Sequence, residues 1–88
     1  MKIQIDPHTL KRAGERGTNQ SEIVDTIKTG FDISARHGRI AKGKVYNFRR
    51  ERNGKYYEQK RVEVFYILEE SKIITVTIYV FYGKWEVA

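Results

Sequence analysis

The chain has 88 residues, 40% apolar and 32% charged, with no cysteine, one proline and a formal charge of +6. That is enough for one folded domain with a single core, and it excludes disulfides, thiolate metal clusters and thiol chemistry together. No stretch approaches the apolar length that spans a bilayer, and the opening MKIQIDPH lacks the charged-then-apolar order of a signal peptide, so no membrane association and a cytoplasmic location are expected.

In chain order, Asp6 is a good N-cap and Pro7 suits a first helical position, which predicts a helix through PHTLKRAGER until Gly17 stops it. Leu10 and Ala13 mark its apolar stripe, while His8, Arg12 and Arg16 recur every four residues and share another face. A second helix is predicted within TNQSEIVDTIKTG. Asn19 and Glu22 have the spacing of a capping box, Ile23, Val24 and Ile27 form the face to be buried, and Gly30 is expected to end the helix in the left-handed conformation. A short extended piece follows at Phe31 to Ile33. Ser34 to Lys44, with Gly38 and Gly43 among Arg36, His37, Arg39 and Lys42, reads as a mobile basic loop.

The remainder reads as three antiparallel strands: Lys44 to Arg50, a hairpin turn at Asn53-Gly54, roughly Tyr56 to Glu69, a tight turn near Glu70-Ser71, and Lys72 to Tyr82. Side chains alternate sides along a strand. Ile74, Val76, Ile78 and Val80, with Val62, Val64, Tyr66 and Leu68 of the preceding strand, are therefore expected to face the helices. Arg61, Glu63, Phe65, Ile67, Ile73, Thr75, Thr77, Tyr79 and Phe81 are left on a more open face where a ligand could lie.

Ten of the 17 Lys and Arg lie between Arg36 and Arg61, where the only acids are Glu51 and Glu58, so this segment carries +8 and everything else sums to −2. Tyr46, Phe48, Tyr56 and Tyr57 are interleaved with the charge, a pattern that suits a phosphate-rich partner with stackable bases, RNA foremost. The candidate nucleic-acid-binding residues are Arg36, His37, Arg39, Lys42, Lys44, Arg49, Arg50, Arg52, Lys60 and Arg61. The alternative is a solvated hairpin whose cations discourage edge-to-edge aggregation. No glycine-rich nucleotide loop or nucleophile elbow appears, and the two histidines are too far apart to suggest a metal site, so neither metal nor cofactor is expected.

The segment HTLKRAGERGTNQSEIVDTIKTG and the later run KRVEVFYILEESKIITVTIYVFYGKWE together resemble a widespread family of small uncharacterised bacterial domains. That family is grouped with the RelE-like toxins in a superfamily of metal-independent ribonucleases that also includes barnase, EndoU and the RNA-cleaving colicins. The resemblance implies a RelE-like α+β domain over residues 1–88, with two N-terminal helices on one face of a three- to four-stranded antiparallel sheet and an RNA site on the exposed sheet face. For a toxin it also implies a cognate acidic antitoxin as partner.

Cleaving RNA without metal uses the substrate's 2′-hydroxyl as nucleophile, which requires a base, an acid for the departing 5′-oxygen, and fixed cations for the charge growing at phosphorus. Histidine suits either proton role, and paired arginines hold phosphate bidentately, so His8, Arg12 and Arg16 are the candidate catalytic residues. Tyr79, or less favourably His37, is the candidate for the second proton function. Each has a plainer alternative: His8 as cover for the first helical turn, Arg12 or Arg16 paired with Glu15, Asp25 or Glu63, Tyr79 packed beside Phe65. A non-catalytic nucleic-acid-binding module, and an interaction domain for an acidic protein, remain the other two functional classes.

Overall fold

The computed structural model describes residues 1–85. Strand β1 (Lys2–Gln4) leads into helices α1 (Pro7–Arg16) and α2 (Gln20–Thr29), followed by β2 (Phe31–Ile33), β3 (Ile40–Arg52), β4 (Lys55–Glu69) and β5 (Lys72–Gly83). The strands form one sheet in the order β1-β5-β4-β3-β2, in which only the β1–β5 pair is parallel. The architecture is therefore α+β with two helices, as expected, but the sheet is five-stranded and mixed rather than three- to four-stranded and antiparallel. The added strand, β1, pairs over three residues only, Lys2 to Gln4 against Lys72 to Ile74. Among the described residues no helix is long and apolar enough to cross a membrane.

The helix ends follow from local chemistry. The Asp6 carboxylate accepts from the Thr9 backbone N–H at 2.9 Å and from its hydroxyl at 3.0 Å, which holds the carboxyl below its usual range. Gly17 closes α1 at φ 98°, its N–H and that of Thr18 reaching back to the Gly14 and Ala13 carbonyls. Asn19 caps α2 by accepting the Glu22 N–H at 2.9 Å, but the reciprocal half of the expected capping box is absent. The Glu22 carboxylate turns inward instead, accepting from the Thr18 hydroxyl and Lys60, each at 2.8 Å. Gly30 departs from expectation too: its φ of −74° and ψ of 166° are extended, not left-handed. Space is what demands glycine there, since a Cβ would lie 2.4 Å from the Thr26 carbonyl oxygen and 2.5 Å from that of Gly43.

The expected mobile loop is shorter than its glycines suggest. β3 begins at Ile40, so Lys42, Gly43 and Lys44 are strand residues, and a tight turn closed by the Arg39 N–H on the Arg36 carbonyl sets the tip at His37-Gly38. Both hairpin turns fall where expected, with Asn53, Gly54, Glu70 and Ser71 all at positive φ.

Ala13, Ile23 and Ile27 of the helices pack on Val62, Val64, Tyr66, Ile73 and Ile78, which places both helices on one sheet face. Simple alternation along β5 fails at one point. A bulge shifts the register between Phe65↔Thr77 and Tyr66↔Thr75, leaving Val76 as the extra residue. The helix-facing set is consequently Ile73, Thr75, Ile78 and Val80, while Ile74 moves to the open face opposite Ile67, and Leu68 is half exposed.

A polar seam ties α2 to β3. Asp25 accepts from Lys44 Nζ at 2.6 Å and the Tyr46 hydroxyl at 2.7 Å, and Tyr46 also lies 3.2 Å from the Thr26 hydroxyl. The Lys44 ammonium first, then Tyr46, holds the Asp25 carboxyl below its ordinary value. A depressed folded-state pKa contributes stability above the unfolded value, near pH 4, and that contribution is lost as pH falls through the folded value. The melting-temperature gap between the wild type and Asp25→Asn is therefore expected to be full at pH 6 to 8 and to close below about pH 4, which thermal melts across pH will check.

Candidate functional site

Among the described residues, the short β1 leaves the outer edge of β5 without a partner strand beyond Ile74. α1 runs beside that edge, and between them lies a cleft lined by His8, Thr9, Arg12 and Arg16 from the helix and Val76, Thr77 and Ile78 from the strand. The i, i+4 spacing that aligned His8, Arg12 and Arg16 in the sequence thus puts all three on the cleft wall. His8 and Arg12 are exposed and Arg16 is half-buried. Arg16 donates through Nη1 to the Ile78 carbonyl, satisfying an edge group that a missing strand would have taken.

Neither arginine follows its plainer alternative. Among the described residues Arg12 and Arg16 form no ion pair; Asp25 is taken by Lys44, and Glu63 accepts from Arg61 Nε at 2.8 Å. Tyr79 lies on the sheet face away from the helices, its ring edge-on to Phe65 at 5.7 Å as the packing alternative held, and 43% exposed. The link between Tyr79 and the cleft is Arg16, whose guanidinium carbon is 5.8 Å from the ring centroid. His37 does not join them. It sits on the exposed turn between β2 and β3, with β4 and β3 interposed between that edge and β5. Among the described residues no cluster of metal-ligating side chains occurs.

The basic segment divides into two populations. Lys60 is buried, its side chain 7% exposed, pairing with Glu22 at 2.8 Å and donating to the Gly17 carbonyl at 2.8 Å. Arg52 donates to the Glu15 carbonyl at 2.8 Å and stacks on Tyr82, whose hydroxyl donates to the Arg16 carbonyl at 2.6 Å. Three consecutive carbonyls at the end of α1, those of Glu15, Arg16 and Gly17, are therefore capped by side chains from β3, β4 and β5. Two of the three donors are cationic, which suits the negative end of a helix. Lys42 pairs with Asp32, Lys44 with Asp25, and Arg61 with Glu63 while lying over the Phe31 ring at 4.8 Å. Of the ten candidate binding residues, Lys42, Lys44, Arg52, Lys60 and Arg61 thus carry internal contacts, and Lys60 has no surface to offer a ligand. Arg36, His37, Arg39, Arg49 and Arg50 are exposed; Arg50 lies over the Phe48 ring at 4.9 Å, and Arg49 is 3.9 Å from Glu58.

Sequence reasoning passed over the role of β5's free edge and the capping of α1 by Arg52, Tyr82 and Lys60. One signal was legible: Lys60 shares strand parity with Val62, Val64 and Tyr66, so it points to the same side as the core. Compared with protein-family models, curated proteins and solved structures, the chain matches none.

Proposed function

We propose that the protein is a RelE-like, metal-independent ribonuclease that works in the cleft between α1 and the free edge of β5. The observation that supports this reading best is the gathering of one imidazole and two guanidiniums, His8, Arg12 and Arg16, in a cleft where, among the described residues, no carboxylate takes either arginine. In this reading His8 takes the proton of the attacking 2′-hydroxyl, and Arg12 and Arg16 hold the scissile phosphate and stabilise its developing charge. Tyr79, beside Arg16, serves the departing 5′-oxygen. Incubating the purified protein with single-stranded RNA in EDTA is the direct test. Fragments ending in a 2′,3′-cyclic phosphate are expected, and intact RNA overturns the cleavage step. Inducing the gene in a bacterial host and following growth and RNA integrity asks whether the activity is that of a toxin, whose acidic partner would remain bound after nuclease treatment.

One observation favours a second reading, a non-catalytic RNA-binding module: the cleft holds a single imidazole, and Tyr79 belongs to the opposite sheet face. Binding that weakens steeply with salt, without cleavage, would decide for it. Under either reading the exposed cations act as phosphate contacts. Arg49→Gln and Arg50→Gln are each expected to lower the slope of log affinity against log salt by about one. Arg52→Gln is expected instead to lower the melting temperature by about 4–8 °C, through loss of a helix-capping hydrogen bond worth about 1 kcal/mol.

A further inference from the structure

The sheet face away from the helices carries exposed aromatic rings around one partly covered carboxylate. We propose that this face takes the unpaired bases of single-stranded RNA, with Tyr79 and Phe81 as stacking rings and Glu63 as the group that selects guanine. The inference rests on RNA being the ligand and adds which part of it meets the sheet.

Tyr79 and Phe81 are 43% and 47% exposed, their ring centroids 6.2 Å apart and their planes within 25° of each other. Phe65, edge-on to Tyr79 at 5.7 Å, packs against its ring. Exposed rings of this kind stack on any base, because every base has a π-face. Glu63 is the direct cross-strand partner of Tyr79. Its side chain is 14% exposed; Oε2 accepts from Arg61, and among the described residues Oε1 takes no protein donor.

Glu63 is paired with Arg61, so among the described residues the middle of the face has no free cation to hold phosphate, and the backbone does not run over it. A cation stands at its border: Arg16, on α1, reaches the Tyr79 ring, whereas Arg61, on the central strand β4, lies between Glu63 and the Phe31 ring. Phosphates then follow the α1–β5 cleft and the bases turn inward over the sheet. Guanine is the base that presents a ring N–H and an amino group side by side on one edge. Adenine and cytosine set their amino group beside a ring acceptor, and uracil flanks its single N–H with two carbonyls. An ionised carboxylate only accepts, so guanine is the base it fits.

The test is fluorescence anisotropy in a His8→Ala background, which keeps the oligomers intact. The probes are a labelled hexauridylate and its versions with one central guanosine, adenosine or cytidine. The guanosine oligomer is expected to bind about tenfold more tightly than hexauridylate. Glu63→Gln should erase that preference, while Tyr79→Leu and Phe81→Leu should weaken all four by about tenfold with unchanged melting temperatures. Equal affinity for the four oligomers, or leucine variants that bind as tightly as the parent, overturns the proposal and leaves RNA binding itself standing. Failure of every oligomer to bind overturns the RNA reading as well. A dimer of the free protein that Phe81→Leu dissociates also overturns the proposal, since the face is then covered by a second copy.

Discussion

Replacing Lys60 with methionine is expected to cost about 3 kcal/mol of folding stability, equivalent to a melting temperature lower by about 12 °C or more in a domain of this size. Methionine keeps the apolar stem but removes the ammonium. Glu22, whose side chain is only 21% exposed, then loses its cation, and the Gly17 carbonyl loses its donor. Breaking one side of a buried pair is costly because the remaining charge stays desolvated, whereas removing both sides together costs much less. The double variant Lys60→Met, Glu22→Gln should therefore recover much of the loss, giving a coupling energy well above the few tenths expected of independent sites. Additive losses in chemical denaturation would show that the pair is not a unit. A solvated-cation role for Lys60 predicts almost no loss at all.

The second large effect concerns activity. Under the proposed ribonuclease reading, His8→Ala is expected to lower RNA cleavage by about 10²–10⁴-fold, the usual contribution of a positioned proton-transfer group, with binding largely kept. Stability should not change, because His8 is exposed in the first turn of α1 and the N-cap there is made by Asp6 and Thr9. Arg16→Lys is a sharper companion. Lysine keeps the charge but cannot hold both the Ile78 carbonyl and a phosphate with a planar fork. Single-turnover cleavage and equilibrium binding, measured on the same preparations, separate the roles. An unchanged His8→Ala rate would remove His8 from the reaction.

His8 and Lys60 differ in how much of their surroundings is set by nearby residues in the chain. On α1, a helical repeat of four aligned His8, Arg12 and Arg16 before any tertiary information entered, because the geometry of one helix is local. In the basic segment ten residues share only charge and neighbourhood, and charge carries no information about which acid or carbonyl lies across a strand. Asp25, Asp32, Glu22 and Glu63 each take one of those cations. All but Glu63 come from earlier elements.

The sequence by itself determined the two helices, their N-caps, the glycine stop of α1, both hairpin turns and the α+β class. Each depends on residues within about four positions of one another, or on a strong period-two pattern. Tertiary structure alone decided the parallel edge strand, the bulge at Val76 that exchanges the faces of β5, and the partners of Lys60, Glu22 and the Gly17 carbonyl. It also decided that Arg16 meets Ile78 on a strand edge left open. These depend on contacts between segments far apart in the chain, such as Arg16 with Ile78 and Lys60 with Gly17. Their energies come from desolvation and unpaired backbone groups, which exist only once the sheet has formed.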